Sequence, residues 1–273
     1  MFITAGEQRL HVVSVGAGPQ TIVAHGGWVG NWEMWLPPFE LLSTGWRCVA
    51  YDHRGCGESP TVPAEITPES FVDDLFGVLD ALGIERCVLA AESLGCVVAL
   101  DAARRDPGRF TGLVLVDGSG GVTEAVRPLI TGARTDYPAT VRAFVDRCVP
   151  EPDNEHIRRW GRDMLMRAEP EAAARIFECY LDPPRPPVAV AGIEIPALVV
   201  HGTADQIVPP AAGQWLAQNL PDATLLLLDG AGHVPTMTRP REVAEAIDQR
   251  FGPSRYAGSP AAAAGRPALV EGV

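Results

Sequence analysis

The stretch Val88-Leu89-Ala90-Ala91-Glu92-Ser93-Leu94-Gly95-Cys96-Val97-Val98-Ala99-Leu100 decides how this chain is read. An apolar run heavy in Val and Leu, the composition of a strand covered on both faces, breaks at a serine flanked by small residues. A run with helical spacing, Leu94 to Arg105, follows at once. A strand that becomes a helix within one or two residues holds the side chain at the turn clear of its own backbone. It also aims the next N–H at whatever that side chain attacks. Serine is a poor nucleophile alone and needs a base and oxyanion donors beside it, so Ser93 is a candidate that partners elsewhere must support. The usual pattern is G-x-S-x-G. Ala91 stands at the first glycine here, a mild departure, because the turn asks only for a small side chain.

Outward from that turn, the chain alternates strands and helices. Residues 10–15 and 21–24 read as strands around the turn Gly16-Ala17-Gly18-Pro19, and the second runs into His25-Gly26-Gly27-Trp28. A helix is predicted over 32–43, then a buried strand, Arg47-Cys48-Val49-Ala50-Tyr51, ends in the glycine-rich turn Asp52 to Ser59. Thr67-Pro68-Glu69 reads as a helix start, with an N-cap hydroxyl, proline at the first helical position and an acid in the first turn. Apolar residues at helical spacing continue to Leu82, and Gly83 stops them. Strand 86–91 precedes Ser93, and Gly112-Leu113-Val114-Leu115-Val116 is the next strand, closing on Asp117.

The rhythm then fails from about 119 to 190, where the sequence is helical in flavour, carries ten arginines and has no apolar strand. Asp182-Pro183-Pro184-Arg185-Pro186-Pro187 makes a stiff return. Strand rhythm resumes at Ile195-Pro196-Ala197-Leu198-Val199-Val200, followed by a helix over 210–219, a strand over 224–228 and a helix over 240–251. The expected class is α/β, a mostly parallel doubly wound sheet formed by 1–118 and 191–251, with 119–190 inserted as a helical cap. Residues 252–273, rich in Gly, Pro, Ala and Ser, are expected to be a disordered tail.

Composition narrows the function classes. With 47% hydrophobic and 21% charged residues the chain reads as an ordinary globular protein. Its net charge of −12 opposes nucleic acid and anionic membrane surfaces. All 22 basic residues are arginine, so no side-chain amine is available for Schiff-base chemistry. The six cysteines show neither C-x-x-C nor a metal-ligand spacing with His, and they read as buried thiols of a reducing compartment. The start has no basic segment followed by an apolar one, and no apolar run approaches a membrane span, so the expected location is the cytoplasm.

A serine nucleophile needs an acid and a histidine from loops at the carboxyl ends of later strands. His201-Gly202-Thr203-Ala204-Asp205 follows the strand at 195–200, and Gly230-Ala231-Gly232-His233-Val234 follows the strand at 224–228. The order is Ser93, Asp205, His233. With His25-Gly26-Gly27 after an early strand, Asp52-x-Arg54-Gly55-x-Gly57-x-Ser59, and Ala91-x-Ser93-x-Gly95, the sequence resembles the α/β-hydrolase superfamily over about 1–251. That resemblance implies a Ser93–His233–Asp205 triad working through an acyl-enzyme. It also implies an oxyanion hole built from the N–H groups of Leu94 and Gly27, with Trp28 as the fallback donor. Asp117 is the alternative acid, since it too ends a strand. Asp229 is a remoter third, too close to His233 along the chain.

No cofactor and no metal is called for. Trp28, Trp160, Val208 and Val234 are candidate walls of a substrate pocket. If two or three of the aromatic residues face Ser93, the pocket suits a small hydrophobic ester or lactone. Glu92 either borders that pocket or faces solvent. Carbon–carbon bond hydrolases and haloperoxidase-like perhydrolases use the same triad, and thioesterase or peptidase activity has the same grounds. A receptor that keeps the triad and signals through its cap is the non-enzyme alternative.

Overall fold

Runs of Val, Leu, Ile and Ala form the central sheet of the computed structural model, which describes residues 1–252 and the backbone of Val270–Glu271. Its strands are β1 (Phe2–Ala5), β2 (Gln8–Val15), β3 (Gln20–His25), β4 (Trp46–Tyr51), β5 (Cys87–Glu92), β6 (Phe110–Val116), β7 (Ala197–Gly202), β8 (Ala223–Leu228) and the two-residue β9 (Val270–Glu271). The spatial order is β1-β2-β4-β3-β5-β6-β7-β8-β9. From β4 through β8 every neighbour is parallel, and only β1, β2 and β9 run antiparallel to theirs. β3, β5 and β7 are almost entirely buried, as strands covered by helices on both faces must be. The expected tail, 252–273, falls outside the described residues apart from Gly252 and the backbone of β9.

The helices are α1 (Leu36–Leu42), α2 (Pro68–Ala81), α3 (Gly95–Arg105), α4 (Arg127–Thr135), α5 (Tyr137–Cys148), α6 (Glu155–Leu165), α7 (Pro170–Leu181), α8 (Pro210–Asn219), α9 (Pro235–Thr238) and α10 (Pro240–Phe251). The predicted start of α2 is a reciprocal cap. Thr67 Oγ1 accepts the Ser70 N–H at 3.1 Å, and Ser70 Oγ accepts the Thr67 N–H at 3.0 Å, an arrangement worth about 1 kcal/mol. The helix expected over 32–43 divides into a 3₁₀ turn, Trp32–Trp35, and α1. Pro37 and Pro38 lack an N–H, so a helix tolerates them only in its first turn, and α1 starts just before them.

Two strand ends differ from expectation in ways that bear on the site. β7 runs two residues further than the apolar run, so His201 is a sheet residue paired with Leu227. β5 likewise takes in Glu92, paired with Val116. The turn after β4 is structural. Asp52 accepts the N–H groups of Trp32 and Glu58, and Arg54 makes a bidentate pair with buried Asp74, both contacts at 2.7 Å. The chain leaves the sheet at Val116, forms α4–α7, and re-enters it at Ala197. Among the described residues no helix is long and apolar enough to cross a membrane.

Candidate active site

Parallel pairing puts the carboxyl ends of β3, β5, β6, β7 and β8 along one edge of the sheet. His25 lies beside Ala91, Glu92 beside Val116, Val116 beside Val200, and Gly202 beside Leu228. The loops leaving those ends carry Gly26–Trp28, Ser93, Asp117, Asp205 and His233 to a common place.

Ser93 has φ +54°, the left-handed region that an L-residue enters at a cost of roughly 1 kcal/mol or more. Its N–H donates to Val116 O at 2.9 Å, which holds that turn in place. Ser93 Oγ is 2.9 Å from His233 Nε2, and His233 Nδ1 is 2.8 Å from Asp205 Oδ2. The second oxygen, Asp205 Oδ1, accepts the N–H groups of Ile207 at 2.7 Å and Val208 at 3.1 Å. Burial pushes the Asp205 carboxyl up. The charge of His233, hydrogen bonds from His201 and His233, and the Ile207 N–H outweigh it and hold the group well below the carboxylate range.

Asp117 sits behind this row. Its Oδ1 accepts the Gly202 N–H at 2.8 Å, its Oδ2 has no partner among the described residues, and burial followed by the Asp205 charge raises it far above an ordinary carboxyl. The structure therefore brings Asp205, and not Asp117, to His233. His201 Nε2 lies 3.3 Å from Asp205 Oδ2, 3.6 Å from Asp117 Oδ1 and 3.0 Å from Val208 O. Ligand-type atoms of Asp117, His201 and Asp205 lie within 4.8 Å of one another, a spacing a cation could use. Asp205 is already engaged by His233 and two backbone N–H groups, and His201 Nε2 by the Val208 carbonyl.

The loop after β3 is set by two stacked histidines. His25 and His53 lie with ring centroids 5.0 Å apart and planes within 9°. His25 Nδ1 donates to Gly26 O at 2.7 Å and His53 Nε2 approaches Gly27 O at 3.0 Å. Burial, with His53 alongside, lowers His25 to about 3, so the ring is neutral. Tying back those two carbonyls turns the N–H groups of Gly27 and Trp28, which lie across the peptide planes, away from the rings. Among the described residues no protein acceptor takes the N–H of Gly27, Trp28 or Leu94. A Cβ on Gly27 would lie 3.0 Å from Ser93 Cβ, so the backbone there is pressed against the serine. Leu94 is the residue at the start of α3, where the helix dipole favours negative charge.

Above Ser93 opens a cleft of about 510 Å³, part of it continuous with solvent. Trp28, Phe144, Trp160, Met164, Leu165 and Val234 are among its walls. The Trp28 indole N–H is satisfied by Ala173 O at 2.7 Å, and the ring stacks on Phe177 with centroids 5.5 Å apart. Trp160 donates to Glu33 at 2.9 Å. Both tryptophans thus spend their polar atom on the protein and leave carbon for the cleft. Val208 is a correction. It is absent from the cleft wall, and its N–H and carbonyl are bound to Asp205 and His201. Glu92, open to either reading from sequence, is buried and lines the cleft.

Residues that sequence reasoning passed over hold this arrangement. His53 orients the loop after β3 and Glu151 binds the loop before His233, with its Oε1 accepting the Gly232 N–H at 2.9 Å. The one signal available for His53 was a histidine immediately after a strand-ending aspartate, and for Glu151 there was none.

A family model described as Alpha/beta hydrolase family matches residues 22–246. A relative from Agrobacterium fabrum (strain C58 / ATCC 33970), named provisionally as carbamate hydrolase RutD, is 29% identical over 239 residues, 81% of this chain and 88% of its own. A thermophilic esterase from Thermogutta terrifontis superposes with TM-score 0.81 at 29% identity, covering 90% of this chain and 94% of that one. The enol-lactonase from Burkholderia xenovorans LB400 superposes with TM-score 0.85 at 25% identity, covering 93% and 100%. The chain belongs to the alpha/beta hydrolase family.

Proposed function

We propose that this alpha/beta hydrolase is a cofactor-free serine hydrolase cleaving a small, uncharged, hydrophobic carboxylic ester or lactone through an acyl-enzyme. The observation that carries the reading is the unbroken row Ser93 Oγ, His233, Asp205, with contacts of 2.9 and 2.8 Å, beneath an apolar cleft.

In this reading Ser93 Oγ attacks the carbonyl carbon and its proton passes to His233 Nε2. His233 Nδ1–H stays bonded to Asp205, which fixes the tautomer and stabilises the imidazolium. The N–H groups of Gly27 and Leu94 take the oxyanion, and losing one such donor costs ~3 kcal/mol of barrier. Collapse expels the alcohol, protonated by His233. Water, activated by the same imidazole, then releases the acid. A lactone follows the same course with the alcohol still tethered, yielding a hydroxy acid. Residues 119–190 act as a cap over a core of 1–118 and 191–251, and the aromatic wall they supply disfavours charged substrates, since a buried unpaired carboxylate costs several kcal/mol. The six buried, unpaired cysteines support a reducing, cytoplasmic setting.

The names of the relatives support acyl hydrolysis as the reaction type. A fluorophosphonate probe, with para-nitrophenyl esters and a set of lactones, tests the reading. Labelling at Ser93 with turnover abolished in Ser93→Ala is the expected result. Turnover that survives Ser93→Ala, or tight ligand binding without turnover, overturns it.

A further inference from the structure

Among the described residues, the wall of the cleft contains a single carboxyl side chain, Glu92. It is the last residue of β5, directly before Ser93, and is 1% exposed. Glu92 Oε2 accepts the hydroxyl of Thr236 at 2.8 Å, and Thr236 is itself fully buried at the start of α9, three residues beyond His233. Among the described residues Thr236 Oγ1 donates to nothing else and Glu92 Oε1 has no protein partner. With the threonine hydroxyl on Oε2, Oε1 is the carboxyl oxygen left free to meet a ligand.

The surroundings favour the acid form. Burial raises Glu92 to about 8, the charge of Asp205 in the loop after β7 adds to the rise, and the Thr236 hydrogen bond opposes it. The other ionisable groups around it are Asp117 at the end of β6, the thiols of Cys96 on α3 and Cys148 on α5, and His233 across the cleft. No arginine is among them. At neutral pH the cleft thus presents an O–H donor beside the serine, in a wall that is otherwise mostly apolar.

We propose that Glu92 is a specificity-determining residue whose carboxyl O–H donates a hydrogen bond to an uncharged oxygen of the substrate's acyl group, selecting oxo-acyl esters or lactones over purely alkyl ones. This rests on the reading of Ser93 as nucleophile. The acyl group is the part that stays attached to Ser93 through both half-reactions, so a contact from the neighbouring residue acts on it throughout. Ionisation of Glu92 removes the donor and sets a negative charge against the acyl oxygen, and the preference disappears.

The test compares two uncharged esters of matched size, para-nitrophenyl levulinate and para-nitrophenyl valerate, across neutral to alkaline pH. Their kcat/KM ratio cancels any pH dependence that the two esters share. The wild-type ratio is expected to favour levulinate roughly tenfold at neutral pH and to fall towards one as pH rises through about 8. Glu92→Gln, which keeps a donor and cannot ionise, is expected to keep the preference without the alkaline fall. Glu92→Leu is expected to lose it at every pH. A wild-type ratio near one, an unchanged ratio in a folded Glu92→Leu, or an alkaline fall that persists in Glu92→Gln overturns the proposal. Calorimetry of both esters on Ser93→Ala reads the same contact without turnover, and equal Kd values or no binding of either also overturn it. Preferential binding without wild-type turnover would sink the hydrolase reading and leave the Glu92 contact standing. Turnover of both esters at equal efficiency would do the reverse.

Discussion

Glu151 Oε1 accepts the backbone N–H of Gly232 at 2.9 Å, and three residues before Glu151 the carbonyl of Cys148 accepts the N–H of His233 at 2.8 Å. The loop carrying the candidate base is therefore bonded to the segment inserted between β6 and β7. A Cβ at Gly232 would lie 2.4 Å from both Cys148 O and Pro150 Cδ, which leaves no room for a side chain. Glu151→Ala strands a buried N–H, a loss of about 1–3 kcal/mol. It also frees His233 to drift from Ser93, which lowers kcat by about ten- to a hundredfold with little change in KM. Glu151→Gln keeps the acceptor and should restore kcat. Equal kcat in Glu151→Ala and wild type would show that the sheet alone positions the histidine.

The two strand-end carboxylates are separable by substitution. Asp205→Asn keeps its oxygen on the Ile207 and Val208 N–H groups and turns its NH2 towards His233 Nδ1, which imposes the wrong tautomer and should cost on the order of a thousandfold or more in kcat. Asp117→Asn keeps an oxygen for the Gly202 N–H while removing a buried carboxyl that burial and Asp205 both hold against ionisation. It should leave kcat near wild type and raise the melting temperature at neutral pH. The opposite pattern in steady-state kinetics would make Asp117 the working acid.

The glycine after the serine is far less replaceable than the one missing before it. Ala91 sits fully buried in β5 with its methyl accommodated. A Cβ at Gly95 would lie 2.5 Å from Gly26 O and 3.0 Å from His25 O, both backbone atoms of the loop that faces Ser93. Gly95→Ala must displace that loop or α3. It should destabilise the fold by about 1–3 kcal/mol and reduce turnover beyond what the lost stability explains. Denaturant melts alongside kcat/KM would check this, and a variant with wild-type values of both would refute it.

These contrasts mark what the sequence makes legible and what it hides. Strands β3 to β8 can be read because each is a short apolar run, and the start of α2 because Thr67-Pro68-Glu69 is a local capping pattern. Ser93, Asp205 and His233 are candidates for the same reason, each lying just past a strand. Glu92 and Thr236 are 144 residues apart, and Glu151 and Gly232 are 81 apart. No local pattern records such a pairing. His201 looks like a loop residue because the apolar run stops at Val200, yet the ladder to β8 continues through it. Val208 looks like a pocket wall because it is apolar and near the acid, but it is not among the residues that line the cleft. Proximity along the chain is a weak guide to which way a side chain faces.

Stability should report Glu92 independently of catalysis. Its carboxyl goes from an ordinary 4.5 to about 8 on folding, so between those values the folded chain binds a proton that the unfolded chain has lost. Stability then falls as pH rises. The contribution is intact below the ordinary value, is lost progressively up to about 8, and is flat above it. Glu92→Gln cannot lose a proton. Relative to wild type it should therefore gain on the order of a few kcal/mol from mildly acidic to alkaline pH. Asp117, shifted in the same direction, is common to both proteins, and only the part of its rise that comes from the Glu92 charge enters the difference. Urea unfolding of the pair at a series of pH values supplies the measurement. Parallel curves would mean that Glu92 ionises as an ordinary carboxylate and offers no O–H donor at neutral pH.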